Sequence, residues 1–248
     1  MLSKSQEKLI RSLRQVKFRR ETGLFIAEGP KVVNELLDSR FELEFLVATE
    51  SYSLPENPQT SGVILISPKQ LQRLSALKTA NEVIGVFRQK EMRVPEKVPG
   101  KALLLSGISD PGNMGTILRL ADWFDIPLVA CTPGCVDRYS PKVVQATMGS
   151  LARVDFPEVN TVSWLKEIKP ELIVAGTHQD GKPVQDFQPE KPVLLVIGSE
   201  SHGIAPEIAA EVDEWIGIPS PGARNRRAES LNAAVATAIF CYHLWGNY

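Results

Sequence analysis

Three short polar segments, each set against an apolar run, carry the residues with which this 248-residue chain could do chemistry. The first is Asp110-Pro111-Gly112-Asn113-Met114-Gly115, followed by Arg119. The second is Ile197-Gly198-Ser199-Glu200-Ser201-His202-Gly203-Ile204. The third opens at Ile218-Pro219-Ser220-Pro221 and resumes at Glu229-Ser230-Leu231-Asn232-Ala233-Ala234-Val235-Ala236. Glycines and short polar side chains at the ends of apolar strands are where soluble domains place a small-molecule site. The three loops therefore read as one composite site on the far side of a sheet. Gly176, Gly198 and Gly203 give room for close approach, with Thr177 beside the first, and Ile197, Ile218 and Leu231 supply apolar walls.

Most polar candidates have a structural reading beside the functional one. Glu200 could orient polar atoms of a ligand or of the loops, or place a charge at the start of a helix over residues 205–211. Ser230 and Asn232 flank Leu231 at the start of the last helix, where capping and ligand contact are compatible. Asn113 can cap the helix that follows it. Arg119 is the sharpest candidate, one and a half turns into a helix that otherwise reads apolar on several sides.

The common α/β chemistries fall away one by one. After Leu105 the chain lacks the Gly-x-Gly-x-x-Gly pattern of a dinucleotide fold, and no Walker phosphate loop occurs. Gly198-Ser199-Glu200-Ser201-His202-Gly203 has the wrong glycine spacing for a hydrolase elbow. Cys131, Cys135 and Cys241 form no secreted disulfide framework, and His178, His202 and His243 have no ligand spacing, so no metal is expected. Apolar runs such as residues 193–197 are far too short to cross a bilayer. The N-terminus, charged from Lys4 onward, has no signal-peptide character, and a cytoplasmic location is expected.

Strands expected at residues 102–105, 128–131, 172–175, 193–197 and 215–218 position these loops. They alternate with helices expected at 114–123, 141–151, 162–168, 205–211 and 231–245. Strands that are apolar throughout indicate a parallel sheet covered on both faces. Ahead of it, a helix over 3–16, strands near 24–27, 45–48, 63–66 and 83–87, and helices near 31–37 and from Ser67-Pro68 onward form a small α/β domain. A charged stretch with two prolines, residues 89–101, marks the boundary. The expected division is 1–90, a linker at 91–101, and 102–248. The net charge of −1 hides an asymmetry, because residues 1–20 carry +6 and the remaining 228 carry −7. A basic end on an acidic body points to a polyanion partner or to a solvated helix face.

The motifs also carry a resemblance. Asn113-x-Gly115-x-x-x-Arg119-x-Ala121-Asp122-x-Phe124 resembles the first motif of the SpoU/TrmH family of RNA 2′-O-ribose methyltransferases. Ile197-Gly198-Ser199-Glu200-x-x-Gly203-Ile204 is similar to the second motif. Ile218-Pro219, with Glu229-Ser230-Leu231-Asn232-x-x-Val235-Ala236, is similar to the third. Residues 18–36 resemble the RNA substrate-binding domain, like ribosomal protein L30e, that is often fused ahead of it.

The resemblance implies an α/β fold whose C-terminal parallel sheet is tied into a deep trefoil knot; periodicity alone gives an ordinary doubly wound sheet. It implies S-adenosylmethionine bound in the knot and a homodimer formed through the C-terminal domain. It implies catalytic roles for Asn113, Arg119, Glu200, Ser230 and Asn232. Cofactor contacts are implied for Gly176, Thr177, Ile197, Gly198, Gly203, Ile218, Ser230 and Leu231, and RNA contacts for Lys17, Arg19, Arg20 and Arg119. Arg119 is implied to act on the substrate phosphate and hydroxyl, even as a base. Arginine is effectively always protonated, so clamping the phosphate and stabilising the developing alkoxide is the easier role. The expected function is S-adenosylmethionine-dependent 2′-O-ribose methylation of RNA, with ribosomal RNA ahead of transfer RNA because of the fused N-terminal domain. A non-catalytic RNA-binding protein on the same fold and a nucleotide-dependent doubly wound enzyme are the rivals. Three departures stand out: Asp125 where a glycine is usual, Ser201 for a frequent glycine, and a basic insert at residues 223–228.

Overall fold

The alternating apolar segments fold into two compact units in a computed structural model that describes residues 1–56, 62–92, 94–95, 97–220 and 230–246. One unit comprises Met1–Glu91 and Asp137–Arg153, the other Met92–Val136 and Val154–Tyr248. The break after Glu91 falls where charge and proline interrupt the pattern. Residues 137–153, which the sequence reading put with the second domain, belong to the first unit. The basic insert at 223–228, Glu229 and Pro221 lie outside the described residues.

In the first unit, α1 (Lys4–Ser12) starts at a capping box between Ser3 and Gln6. The sequence reading expects one helix over 3–16. The chain instead turns at Leu13, whose side chain is fully buried, and restarts as α2 (Val16–Thr22), which ends on left-handed Gly23. Then follow β1 (Leu24–Glu28), α3 (Pro30–Leu37), β2 (Leu43–Ala48), β3 (Ile64–Leu65), α4 (Pro68–Leu74) and β4 (Val83–Arg88). The sheet order is β1-β4-β2-β3, with β4 antiparallel to both of its neighbours. Ile10, Leu13, Leu71 and Leu74 pack on Ile26, Val47, Ile84 and Val86 of the sheet. Arg14 fixes the turn after α1 by donating to the Leu74 and Ser75 carbonyls, both at 2.6 Å. Phe25, by contrast, meets Phe41 edge to face and Tyr139 of the returning segment at a tilt, at centroid distances of 5.4 and 4.7 Å.

The second unit holds β5 (Lys101–Ser106), α5 (Pro111–Trp123) and β6 (Leu128–Cys131), then, beyond α6 (Pro141–Thr147) of the first unit, α7 (Thr161–Ile168) and β7 (Ile173–Pro183). It closes with β8 (Val193–Gly198), α8 (Pro206–Ala209), β9 (Glu214–Gly217) and α9 (Ala233–Trp245). All five strands are parallel, in the order β6-β5-β8-β7-β9. The central strands β5 and β8 are buried nearly end to end, as a sheet covered on both faces requires. β7 runs past the expected residue 175, with an irregularity between Thr177 and Lys182. Asp125, where a glycine is usual, sits at φ 51° in the left-handed region, so the backbone itself explains that preference.

Candidate active site

The loops after β8 and β9 and the start of α9 converge on a cavity of about 300 Å³. Thr177 comes from β7, Ile197 and Gly198 end β8, Ile218 follows β9, and Ser230 and Leu231 precede α9; all six line it. The turn after β8 is tight. Ser199 and Gly203 exchange both backbone hydrogen bonds, at 3.0 and 2.9 Å, and Gly203 also faces the cavity. A Cβ on Gly198 would lie 2.4 Å from the Gly203 carbonyl carbon, so only glycine allows this turn to close. Gly176 is placed differently. A Cβ there would meet the Trp215 ring and Val212 at 2.9 Å, and Gly176 is outside the cavity lining.

Glu200 ties the three motifs together. Its Oε1 accepts from Asn113 Nδ2 at 3.1 Å, Asn232 Nδ2 at 2.7 Å and the Ala233 backbone N–H at 3.0 Å. Asn232 Nδ2 also donates to Asn113 Oδ1 at 2.8 Å. The other end of the Asn232 amide caps α9, accepting from Ala234 and Val235 N–H at 3.1 and 3.2 Å. Two sequence readings are corrected here. Asn113 does not cap α5; Asp110 does, accepting from the Asn113 N–H at 2.8 Å, which frees the Asn113 amide for Glu200. The Glu200 charge serves the N-terminus of α9 rather than of the helix near residue 205, and there the macrodipole favours it. Asp110 was the residue missed. An aspartate directly before a proline, ahead of an apolar helix, is a legible cap signal. His178, Gln179 and Phe240 also line the cavity without a prior signal, because the β7 irregularity and the α9 packing that bring them there are tertiary; Ala236 of the third motif lines it too.

Arg119 does not join this cluster. It is exposed, and six residues beyond Asn113 on α5 means about 9 Å of rise and a face turned away by about 120°. It has no ion-pair partner among the described residues. In the basic N-terminal stretch, Lys17 and Arg20 are exposed, with Lys17 3.9 Å from Glu21. Arg19 is corrected: it is buried, its Nε donates to Asp137 at 2.7 Å and its Nη1 to the Leu13 carbonyl at 2.7 Å, so its charge is spent inside the first unit. Beyond β6, Cys135 is lowered to about 6, chiefly by a hydrogen bond from Cys131 that outweighs burial. Among the described residues no group of three His, Cys, Asp or Glu could hold a metal ion, and no helix is long and apolar enough to cross a membrane.

Comparison with known proteins places this geometry. A family model described as the SpoU rRNA Methylase family matches residues 100–242, and one described as an MRM3-like substrate binding domain matches residues 4–85. The 23S rRNA (guanosine(2553)-2′-O)-methyltransferase RlmP of Bacillus subtilis is 28% identical over 239 residues, covering 95% of this chain and 94% of its own. A TrmH-family structure from Porphyromonas gingivalis superposes with a TM-score of 0.85 at 39% identity, covering 98% of both chains. The AdoMet-bound rRNA methyltransferase structure from Sinorhizobium meliloti superposes with a TM-score of 0.84 at 29% identity, covering 98% of this chain and 95% of the other.

Proposed function

Because the chain belongs to the SpoU rRNA methylase family, we propose that it transfers a methyl group from S-adenosylmethionine to a ribose 2′-hydroxyl of RNA, ribosomal RNA foremost. The observation that carries this reading is the Glu200–Asn113–Asn232 cluster, whose Glu200 lines the cavity. It locks three loops, far apart in sequence, into one wall. The likeness to RlmP and to the AdoMet-bound structure supports substrate and cofactor.

The residues present fit S-adenosylmethionine. Ile197, Ile218 and Leu231 offer apolar walls for an adenine ring, Thr177 and Ser230 offer hydroxyls, and the bare Gly198 lets the turn that walls the cavity close. When bound, the cofactor supplies an electrophilic methyl group. The work of this chain is then positioning. Glu200 fixes the loops through Asn113 and Asn232, and Arg119 clamps the RNA phosphate and steadies the charge that develops on the hydroxyl. Isothermal calorimetry with S-adenosylmethionine in the presence of a chelator tests the reading. Saturable one-site heat is expected; no heat and no thermal stabilisation by excess cofactor would sink it.

The functional unit is a homodimer joined through the C-terminal domain. Two observations support this. Arg119 stands away from its own chain's cluster, and Leu231, Val235 and Tyr242 are exposed around an α9 that is apolar nearly throughout. Sedimentation equilibrium should give twice the chain mass, and a Val235→Glu, Tyr242→Glu double variant should give one; a wild-type monomer would contradict the proposal. Threading of the C-terminal segment into a trefoil knot and a cytoplasmic location complete the reading.

A further inference from the structure

The carboxyl ends of β5, β6 and β8 frame a wider cavity of about 660 Å³, within the same unit. After β5 the chain leaves toward β6, and after β8 toward β9 on the opposite side of the sheet. Open parallel sheets hold ligands at such a divergence, and small-molecule sites run roughly 300–1,000 Å³. The floor is closed and satisfied. Ser106 and Thr132 are buried, and their hydroxyls accept from Ala205 N–H and Gly107 N–H, both at 3.1 Å. Val159, Val162 and Ile208 supply apolar surface, while Glu158 and Glu207 add carboxylates. Ser199 and Gly203 line both cavities, so the turn that walls the proposed cofactor site also walls this one.

Chemistry narrows the occupant. Carboxylates accept hydrogen bonds and repel anions, which disfavours a phosphate and favours a ligand that presents N–H groups. Apolar surface beside them suits the flat face of a heteroaromatic ring. Proteins that read RNA sequence splay single-stranded bases out and bond their edges. Guanine offers an imino and an amino N–H side by side, the pattern a carboxylate accepts with both oxygens. We infer that the wide cavity receives a guanine base of the RNA substrate, held at its N–H edge by Glu207 with Glu158 beside it. The inference rests on the RNA methyltransferase reading and adds the element that selects the nucleotide.

Methyl-labelled protein, observed by NMR and titrated separately with guanosine, uridine and S-adenosylhomocysteine, tests it. Guanosine should shift the methyls of Val159, Val162 and Ile208. S-adenosylhomocysteine should shift those of Ile197 and Ile218. Glu207→Gln, at an exposed position, should weaken guanosine about tenfold, the loss expected for one charge-assisted hydrogen bond, and leave S-adenosylhomocysteine binding unchanged. Guanosine that leaves the wide-cavity methyls unmoved, uridine that matches it, or a Glu207→Gln variant that binds it as tightly would each overturn the inference. Failure of S-adenosylhomocysteine alone would count against the proposed function and leave the guanosine result standing, so the two readings fail separately.

Discussion

Glu200 shows how one exposed carboxylate can organise a site. Three donors from two distant motifs meet one of its oxygens, two of them asparagine amides beside apolar runs and the third a backbone N–H at the start of α9. Removing the charge by Glu200→Gln leaves Asn113 and Asn232 competing for a neutral amide. We expect a loss of about 1 kcal/mol, given the exposure of the site. That is a melting temperature lower by roughly 2–4 °C for a chain of this size. Cofactor affinity should fall together with it, since both depend on the same loops. Differential scanning calorimetry with and without S-adenosylmethionine checks this, and unchanged melting and affinity would show the cluster to be ornamental. That Asn113, Glu200 and Asn232 sit in three polar loops able to converge was legible in the sequence, and the structure brings the three side chains together. Their pairing was not legible, because the acceptor that caps α5 and the acceptor that serves α9 each had an equally good local alternative.

At the scale of elements, the parallel sheet was legible because strands buried on both faces read as unbroken apolar runs, and β6 falls on residues 128–131 as expected. What periodicity missed were features decided by tertiary contacts. The turn between α1 and α2 follows from Arg14 reaching the end of α4, and α6 packs with the first unit although its sequence looks no different from helices of the second. The turn after β8 is the element on which the proposed cofactor site depends. Gly198→Ala would force a methyl group to within 2.4 Å of the Gly203 backbone, and backbone there has nowhere soft to yield. The turn must open, so we expect cofactor affinity to fall by at least tenfold with the sheet intact. Calorimetric titration beside far-ultraviolet circular dichroism measures both; a variant that binds normally would show that the turn tolerates a side chain.

For the whole molecule, the charge asymmetry read from the sequence survives in altered form. Lys4, Lys8, Arg11, Lys17 and Arg20 are exposed, while Arg19 is taken inward to pair with Asp137. The first unit carries this basic surface and the match to a substrate binding domain, and the second carries the proposed methyl-transfer site and the match to the SpoU family. Methyl transfer to ribose, with Arg119 as an electrostatic clamp, is the central proposal for this chain. The most direct measurement incubates wild-type, Arg119→Ala and Arg119→Lys protein with isotopically labelled S-adenosylmethionine and unmodified large-subunit ribosomal RNA. Label is then located by resistance of the adjacent phosphodiester to alkaline hydrolysis. For the wild type, label is expected on a ribose 2′-oxygen. Arg119→Ala should be about 10²–10³-fold slower at an unchanged melting temperature, with little rescue by Arg119→Lys, whose point charge lacks the planar fork. No label on RNA, label on a base, or an Arg119→Ala variant as fast as the wild type would contradict the proposal.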